Sequence, residues 1–199
     1  MELDAKQKRQ KILLEIKDFL IGSAFPFMLQ LVLSASVILF ADYNDDVAIQ
    51  AFALVVGEIM LIVAYVIFGR QNGISAYRKT VVTQKKREMG STDVTVYYKT
   101  GEYALWKGVV IGAVSVIPFV LFQFIQCVAP NVFCEFLLKY AFGWGAYPFK
   151  VIGIDIEWLN FIWIIIPVGV HTGAYYWGGY QEKKRQALME KAQEIKKKK

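Results

Sequence analysis

The chain has 199 residues, 56% of them hydrophobic, with a positive mean hydropathy and a formal net charge of +6. It is too apolar for an ordinary soluble domain. The apolar residues are bunched into four long runs, and the remaining chain is too short to cover four such helices, which excludes a soluble helical bundle. The bases cluster in alternate connections, a pattern that points to a membrane surface and away from nucleic acid.

Residues 1–18 place Ile12, Leu13 and Ile16, followed by Phe19, at helical spacing among Lys, Arg and Gln, which predicts a cytoplasmic amphipathic helix on the membrane surface. It runs into a first span over 19–41. That apolar run is longer than the core of a secretory signal and lacks a small-residue cleavage site, so it reads as a retained helix. A helix crosses about 30 Å of hydrocarbon with roughly 20 residues. By that measure 47–69, 106–128 and 158–180 are the second, third and fourth spans. Pro26, Pro118 and Pro167 lie inside three of them as candidate kinks.

The connection from Asp42 to Asp46 holds acids and no base. Residues 70–105 form a basic loop that opens at Gln71-Asn72-Gly73, continues as a basic helix to Glu88, turns at Gly90-Ser91-Thr92-Asp93 and enters a β-prone stretch from Val94 to Tyr98. Residues 129–157 predict a short helix from Asn131 to Phe142, interfacial or re-entrant, ended by Gly143-Trp144-Gly145-Ala146-Tyr147-Pro148. Residues 181–199 are a basic tail. The expected fold class is therefore an all-α integral membrane protein of four transmembrane helices.

Of the 23 basic residues, 21 fall in the N-terminal segment, the second connection counted through Lys107 at the start of the third span, or the tail. The positive-inside rule then puts both termini in the cytoplasm. Trp106 and Trp177 fall at the inner boundary, Trp144 and Trp158 at the outer one. Localisation in a plasma membrane follows, with a bacterial inner membrane favoured over a eukaryotic one in which Lys196–Lys199 would act as a retrieval signal. Arg78, Lys79, Lys85, Lys86, Arg87, Lys183, Lys184 and Arg185 are the expected contacts to anionic lipid headgroups.

Glu58 interrupts the second span at its middle, where insertion scales put an ionised acid at about +2.5 to +3.5 kcal/mol. His171, the only histidine, lies at nearly the same depth in the fourth span, and Gln30 at a similar depth in the first. The expectation is an intramembrane proton or ion site of Glu58, His171 and Gln30, with Glu58 and His171 meeting, against a static interhelical bond as the alternative. Gly108 with Gly112, and Gly169 with Gly173, are spaced for close helix packing. Cys127 and Cys134 sit near one boundary as free thiols or a disulfide. With one histidine and no Cys-x-x-Cys pair, no metal site and no cofactor is expected. A weak echo between Pro26-Phe27-Met28-Leu29-Gln30 and Pro118-Phe119-Val120-Leu121-Phe122-Gln123 hints at a parallel repeat.

Three functions fit these features: a small oligomeric channel or transporter built on Glu58, a noncatalytic subunit or scaffold docked on a membrane complex, and a lipid-modifying enzyme. The partners they imply are the lipid bilayer and either further copies of the chain or a membrane complex.

Overall fold

The computed structural model describes residues 4–43, 46–98 and 101–197. The described residues form six α-helices, α1 (Ala5–Asp42), α2 (Val47–Glu88), α3 (Leu105–Val128), α4 (Val132–Ala146), α5 (Pro148–Val151) and α6 (Ile165–Lys197), and two 3₁₀ helices. Among the described residues there is no strand. Four helical segments, those of α1, α2, α3 and the stretch leading into α6, are long and apolar enough to cross a membrane.

Capping explains several of the helix starts. Asp4 accepts from the Gln7 amide and the Gln7 side chain answers on the Asp4 amide, a reciprocal cap that begins α1. Asp46 caps α2 through the Ala48 amide, and Asn131 caps α4 through the Cys134 amide. Lys85, Lys86 and Arg87 sit in the last turn of α2, where cations favour the negative end of the helix dipole.

Four expectations are corrected. The Gln71-Asn72-Gly73 triplet opens no loop, because α2 continues unbroken from Val47 to Glu88. Gly73 is accommodated there by packing, as shown below. The Val94–Tyr98 stretch is a 3₁₀ helix and not a strand, since it has no partner strand to pair with. α4 passes through Gly143 to Ala146, with a kink at Phe142, so Gly143 does not end it. The fourth apolar run begins as a 3₁₀ helix, Glu157–Ile164, before α6.

The most extensive packing is between α2 and α6. Its cause is a set of glycines that bring the two backbones into contact. A Cβ at Gly69 would stand 2.7 Å from the His171 carbonyl oxygen, one at Gly73 would strike the Tyr175 carbonyl, and one at Gly178 would strike that of Arg70. In lipid, where apolar burial drives helices together only weakly, such close backbone approach supplies much of the attraction. Gly108 and Gly112 do the same for α3, which rests on Tyr175, Val168 and His171 of α6.

Toward the Asp42 end the core is aromatic. Leu61 and Tyr65 of α2, Val116 and Phe119 of α3, and Leu138, Phe142 and Trp144 of α4 form one cluster, with the Phe119 and Trp144 rings 5.0 Å apart. Trp144 is thus a core residue, 6% exposed, and not the boundary anchor expected of it. Tyr65 and Ser115 share a buried hydroxyl contact of 3.0 Å between α2 and α3. Tyr65→Phe is expected to lower unfolding stability in detergent by about 1 kcal/mol, the usual net contribution of one such bond; an unchanged denaturation midpoint would mean that the pair contributes nothing. The outward side chains of the spans, such as Leu20, Phe25 and Val32 on α1 and Phe52, Val55 and Ile59 on α2, are exposed and apolar, as lipid-facing positions are.

Ion pairs close both ends of the bundle. Lys139 and Tyr140 of α4 each reach the Asp42 carboxylate at 2.8 Å, tying α4 to the end of α1. At the opposite, basic end Arg78 holds Glu182 through Nε at 2.9 Å and Nη2 at 3.2 Å, joining α2 to α6.

Candidate intramembrane polar site

Glu58 sits on α2 one residue after Gly57, whose missing side chain lets Val37 of α1 pack closely: a Cβ there would lie 2.7 Å from Val37 Cγ2. The two helices thus hold the carboxylate against α1. Both Glu58 oxygens are buried, and among the described residues neither has a hydrogen-bond partner. They face a small cavity lined also by Gln30, Ser34 and Trp144. Gln30 is fully buried, and both its amide atoms lack partners, as does the indole Nε1 of Trp144. Ser34 accepts from the Trp144 backbone amide at 3.2 Å, which fixes the end of α4 against α1. Room for water centres in the cavity is about 10 Å³, close to the least that one water needs.

This arrangement departs from the rule that buried polar groups are satisfied. Three unpartnered groups around one cavity, carried by three helices, are chemically complementary to a single small guest. The oxygens of Glu58, Gln30 and Ser34 accept a proton or a cation, and the amide and indole N–H groups can donate to a water or to the carboxylate. A bare carboxylate in this place is strongly disfavoured, so its charge must be matched whenever it forms.

His171 does not join this site. Its neighbours on α2 are Tyr65, with ring centroids 6.2 Å apart, and Asn72. These lie 7 and 14 residues beyond Glu58, about 10 and 21 Å of helix rise. The expected meeting of Glu58 and His171 is therefore replaced by two separate sites. The 3₁₀ segment Glu157–Ile164 that precedes α6 rises about 2.0 Å per residue and adds only about 4 Å; most of the offset means that the second and fourth apolar runs do not start level with one another.

The imidazole instead closes a four-helix clamp. Nδ1 lies 3.1 Å from the Gly108 carbonyl oxygen on α3, and Nε2 lies 3.3 Å from Asn72 Nδ2 on α2. Asn72 Nδ2 also donates to the Gly22 carbonyl on α1 at 3.1 Å. Because a carbonyl only accepts, the hydrogen is on Nδ1; Nε2 then carries the lone pair that receives one hydrogen of the Asn72 amide, while the other goes to Gly22. Every member is satisfied by a neutral imidazole of one tautomer. Sequence reasoning missed Asn72 because it was read as part of a turn.

The remaining predicted residues divide. A Cβ at Gly108 or Gly112 would press on Tyr175 or Val168 of α6, whereas one at Gly169 or Gly173 would meet nothing within 4 Å, so these two face outward from the bundle. Where α2 meets α6 the close-packing glycines include Gly69, Gly73, Gly178 and Gly179. Arg78, Lys79, Lys85, Lys86, Lys183, Lys184 and Arg185 are exposed at the basic end. Arg87 turns inward, donating to the Val96 carbonyl and to Glu102, so it staples the 3₁₀ segment in place and is not directed to headgroups. Cys127 and Cys134 are free thiols, and Cys134 is buried. Lys99, Lys198 and Lys199 lie outside the described residues.

Compared with known proteins, the chain matches no family model, no curated protein and no solved structure.

Proposed function

We propose that this chain is a small channel or transporter, acting as an oligomer, in which Glu58 and Gln30 form an intramembrane site for a proton or a small monovalent cation. The observation that carries the reading is the convergence of unpartnered buried groups from Glu58, Gln30 and Trp144 on one cavity. A purely structural network is stable only when its members satisfy one another. This one is completed by a guest. Its few oxygens suit a proton, a hydronium or a single-charge cation better than Ca²⁺, which takes 6–8 oxygen ligands.

The placement of α4 supports the same reading. Tyr140 is tied to Asp42, while Gly143 and Trp144 pack on Ile38 and Ser34, up to eight residues, or about 12 Å, further along α1. On this reading α4 and α5 form a re-entrant hairpin that descends from the extracytoplasmic side and delivers Trp144 to the cavity. Charge asymmetry along the chain favours both termini in the cytoplasm of a plasma membrane.

The test is reconstitution in liposomes, with proton and monovalent-cation flux measured under a potassium diffusion potential. Wild type is expected to exceed empty vesicles clearly, Glu58→Gln to fall to their level, and Glu58→Asp to retain part of the flux. If wild type and Glu58→Gln both match empty vesicles, the transport reading is wrong.

A docking subunit is the second reading, favoured by one feature: α1, α2 and α6 all run well past their apolar segments and present exposed bases, among them Lys85, Lys86, Lys183 and Lys184. Crosslinking in native membranes before mild-detergent purification separates the two, since a scaffold is recovered with a second protein and a homo-oligomeric transporter with copies of itself.

A further inference from the structure

Lys107 is an unusual lysine. It stands in the first turn of α3, is only 6% exposed, and among the described residues its side chain forms no hydrogen bond and no ion pair; the Trp106 ring lies 5.7 Å from Nζ. Lysines are almost never buried without a partner, because desolvating an ammonium is costly. It lines a cavity of about 170 Å³ at the basic end of the bundle, enclosed by α1, α2, α3 and α6 and many times larger than a single water requires.

The lining is amphipathic. Lys107 and Lys79 are its cations, Asp18 its one acid, Ser75, Asn72 and Tyr175 its neutral polar groups, and Phe19, Ile21 and Ile111 supply an apolar side. Lys79 is engaged by Asp18 at 3.2 Å, with both side chains partly exposed, so this pair can open at little expense. Glu102 is already held by Arg87, and Glu15 is near Lys107 without lining the cavity. The lining therefore carries one net positive charge, the complement of a phosphodiester.

Two further features point the same way. Ala104 gives α3 no side-chain cap, so the positive end of that helix dipole adds to the field around Lys107. Gly101, at φ 68°, keeps the rim open: a side chain there would collide with the Lys79 ammonium and the Asp18 carboxylate. Toward the apolar side Ile21 of α1 is exposed, and Phe19 of α1 meets Trp106 of α3 edge to face; amphipathic tryptophan rings favour the depth where acyl chains meet headgroups.

We propose that this cavity binds a phosphoryl group, carried on an anionic phospholipid or free in solution, with Lys107 and Lys79 as its cationic ligands. A lipid would place its phosphoryl oxygens on the two ammonium groups and the Ser75 hydroxyl, and lead its chains out past Ile21. The site differs from the diffuse headgroup contacts of the exposed bases, because Lys107 is buried and lines a cavity.

The test uses the full-length protein in a neutral detergent, with binding measured for phosphatidylglycerol, for diacylglycerol (similar chains without the phosphoryl group) and for inorganic phosphate. Saturable binding of one phosphatidylglycerol is expected, weakened at least tenfold by Lys107→Gln and left within twofold by Lys191→Gln, a change at an exposed base away from the cavity. Should Lys107→Gln fail to fold, Lys79→Gln carries the same expectation of weakening. Competition by inorganic phosphate assigns the free group as a ligand, and binding of phosphatidylglycerol without such competition assigns the lipid. The proposal is overturned if diacylglycerol binds as well as phosphatidylglycerol, if neither phosphatidylglycerol nor phosphate binds, or if Lys191→Gln weakens binding as much as Lys107→Gln does.

Discussion

Gly73→Ala is expected to destabilise the folded protein by about 3 kcal/mol or more, whereas Gly169→Ala and Gly173→Ala leave it unchanged or raise its stability by up to about 1 kcal/mol. All three glycines are in helices, so backbone propensity alone favours alanine at each position. The difference lies in what a methyl group meets. At Gly73 it meets the Tyr175 carbonyl of α6, an atom fixed in its own helix and unable to turn aside. Relief requires α2 and α6 to separate, and that separation loosens Gly69 against His171 and Gly178 against Arg70 in the same step. At Gly169 and Gly173 the methyl meets open space. Denaturation of the three variants in a common detergent reads the comparison directly. Equal effects would show that α2 and α6 are not in backbone contact.

That contrast also shows how far the sequence could be read. Four apolar runs were legible because span length is set by bilayer thickness, and each run lies in one of the helical segments found. Helix continuity was not legible at Gln71-Asn72-Gly73. Those residue types favour a turn when exposed, yet here Gly73 is buried under Tyr175 and the Asn72 amide is fully used between Gly22 and His171, so tertiary packing overrides local preference. The spacing of Gly69 and Gly73 by four residues was available as a packing signal and was obscured by the turn reading. Gly169 and Gly173 have the same spacing and face outward, because spacing identifies a smooth face without saying what covers it.

The candidate site was half legible. Glu58 announces itself as the acid inside an apolar run, and Gln30 was placed beside it by depth counting. Trp144 was not, since a tryptophan after an interfacial helix ordinarily marks a boundary. Only the packing of α4 against Ser34 and Phe119 brings it to Glu58. His171 was placed with Glu58 by counting from the starts of the second and fourth runs as though they were level; the 3₁₀ turns of Glu157–Ile164 add about 4 Å to the error, and the unequal starts supply the rest.

His171→Ala is expected to cost about 3 to 5 kcal/mol, among the larger effects available to one side chain in this protein. Two contributions add. The fully buried imidazole leaves a void lined by Tyr65, Tyr175 and Gly112, and the Gly108 carbonyl and one Asn72 hydrogen lose their partners in a place where water does not readily replace them. A large loss alone would not identify a clamp, since any core truncation leaves a void. The coupling does. In an Asn72→Ala background the Asn72 hydrogen is already gone, so His171→Ala should cost about 1 to 2 kcal/mol less than it does in wild type. Asn72→Asp should be worse than Asn72→Ala, because an ionised carboxylate would face the Gly22 carbonyl and the Nε2 lone pair with nothing to donate to either. Nitrogen chemical shifts of the labelled imidazole supply the independent reading, with the hydrogen expected on Nδ1. Additive effects of the two alanine changes, or a hydrogen found on Nε2, would dissolve the clamp.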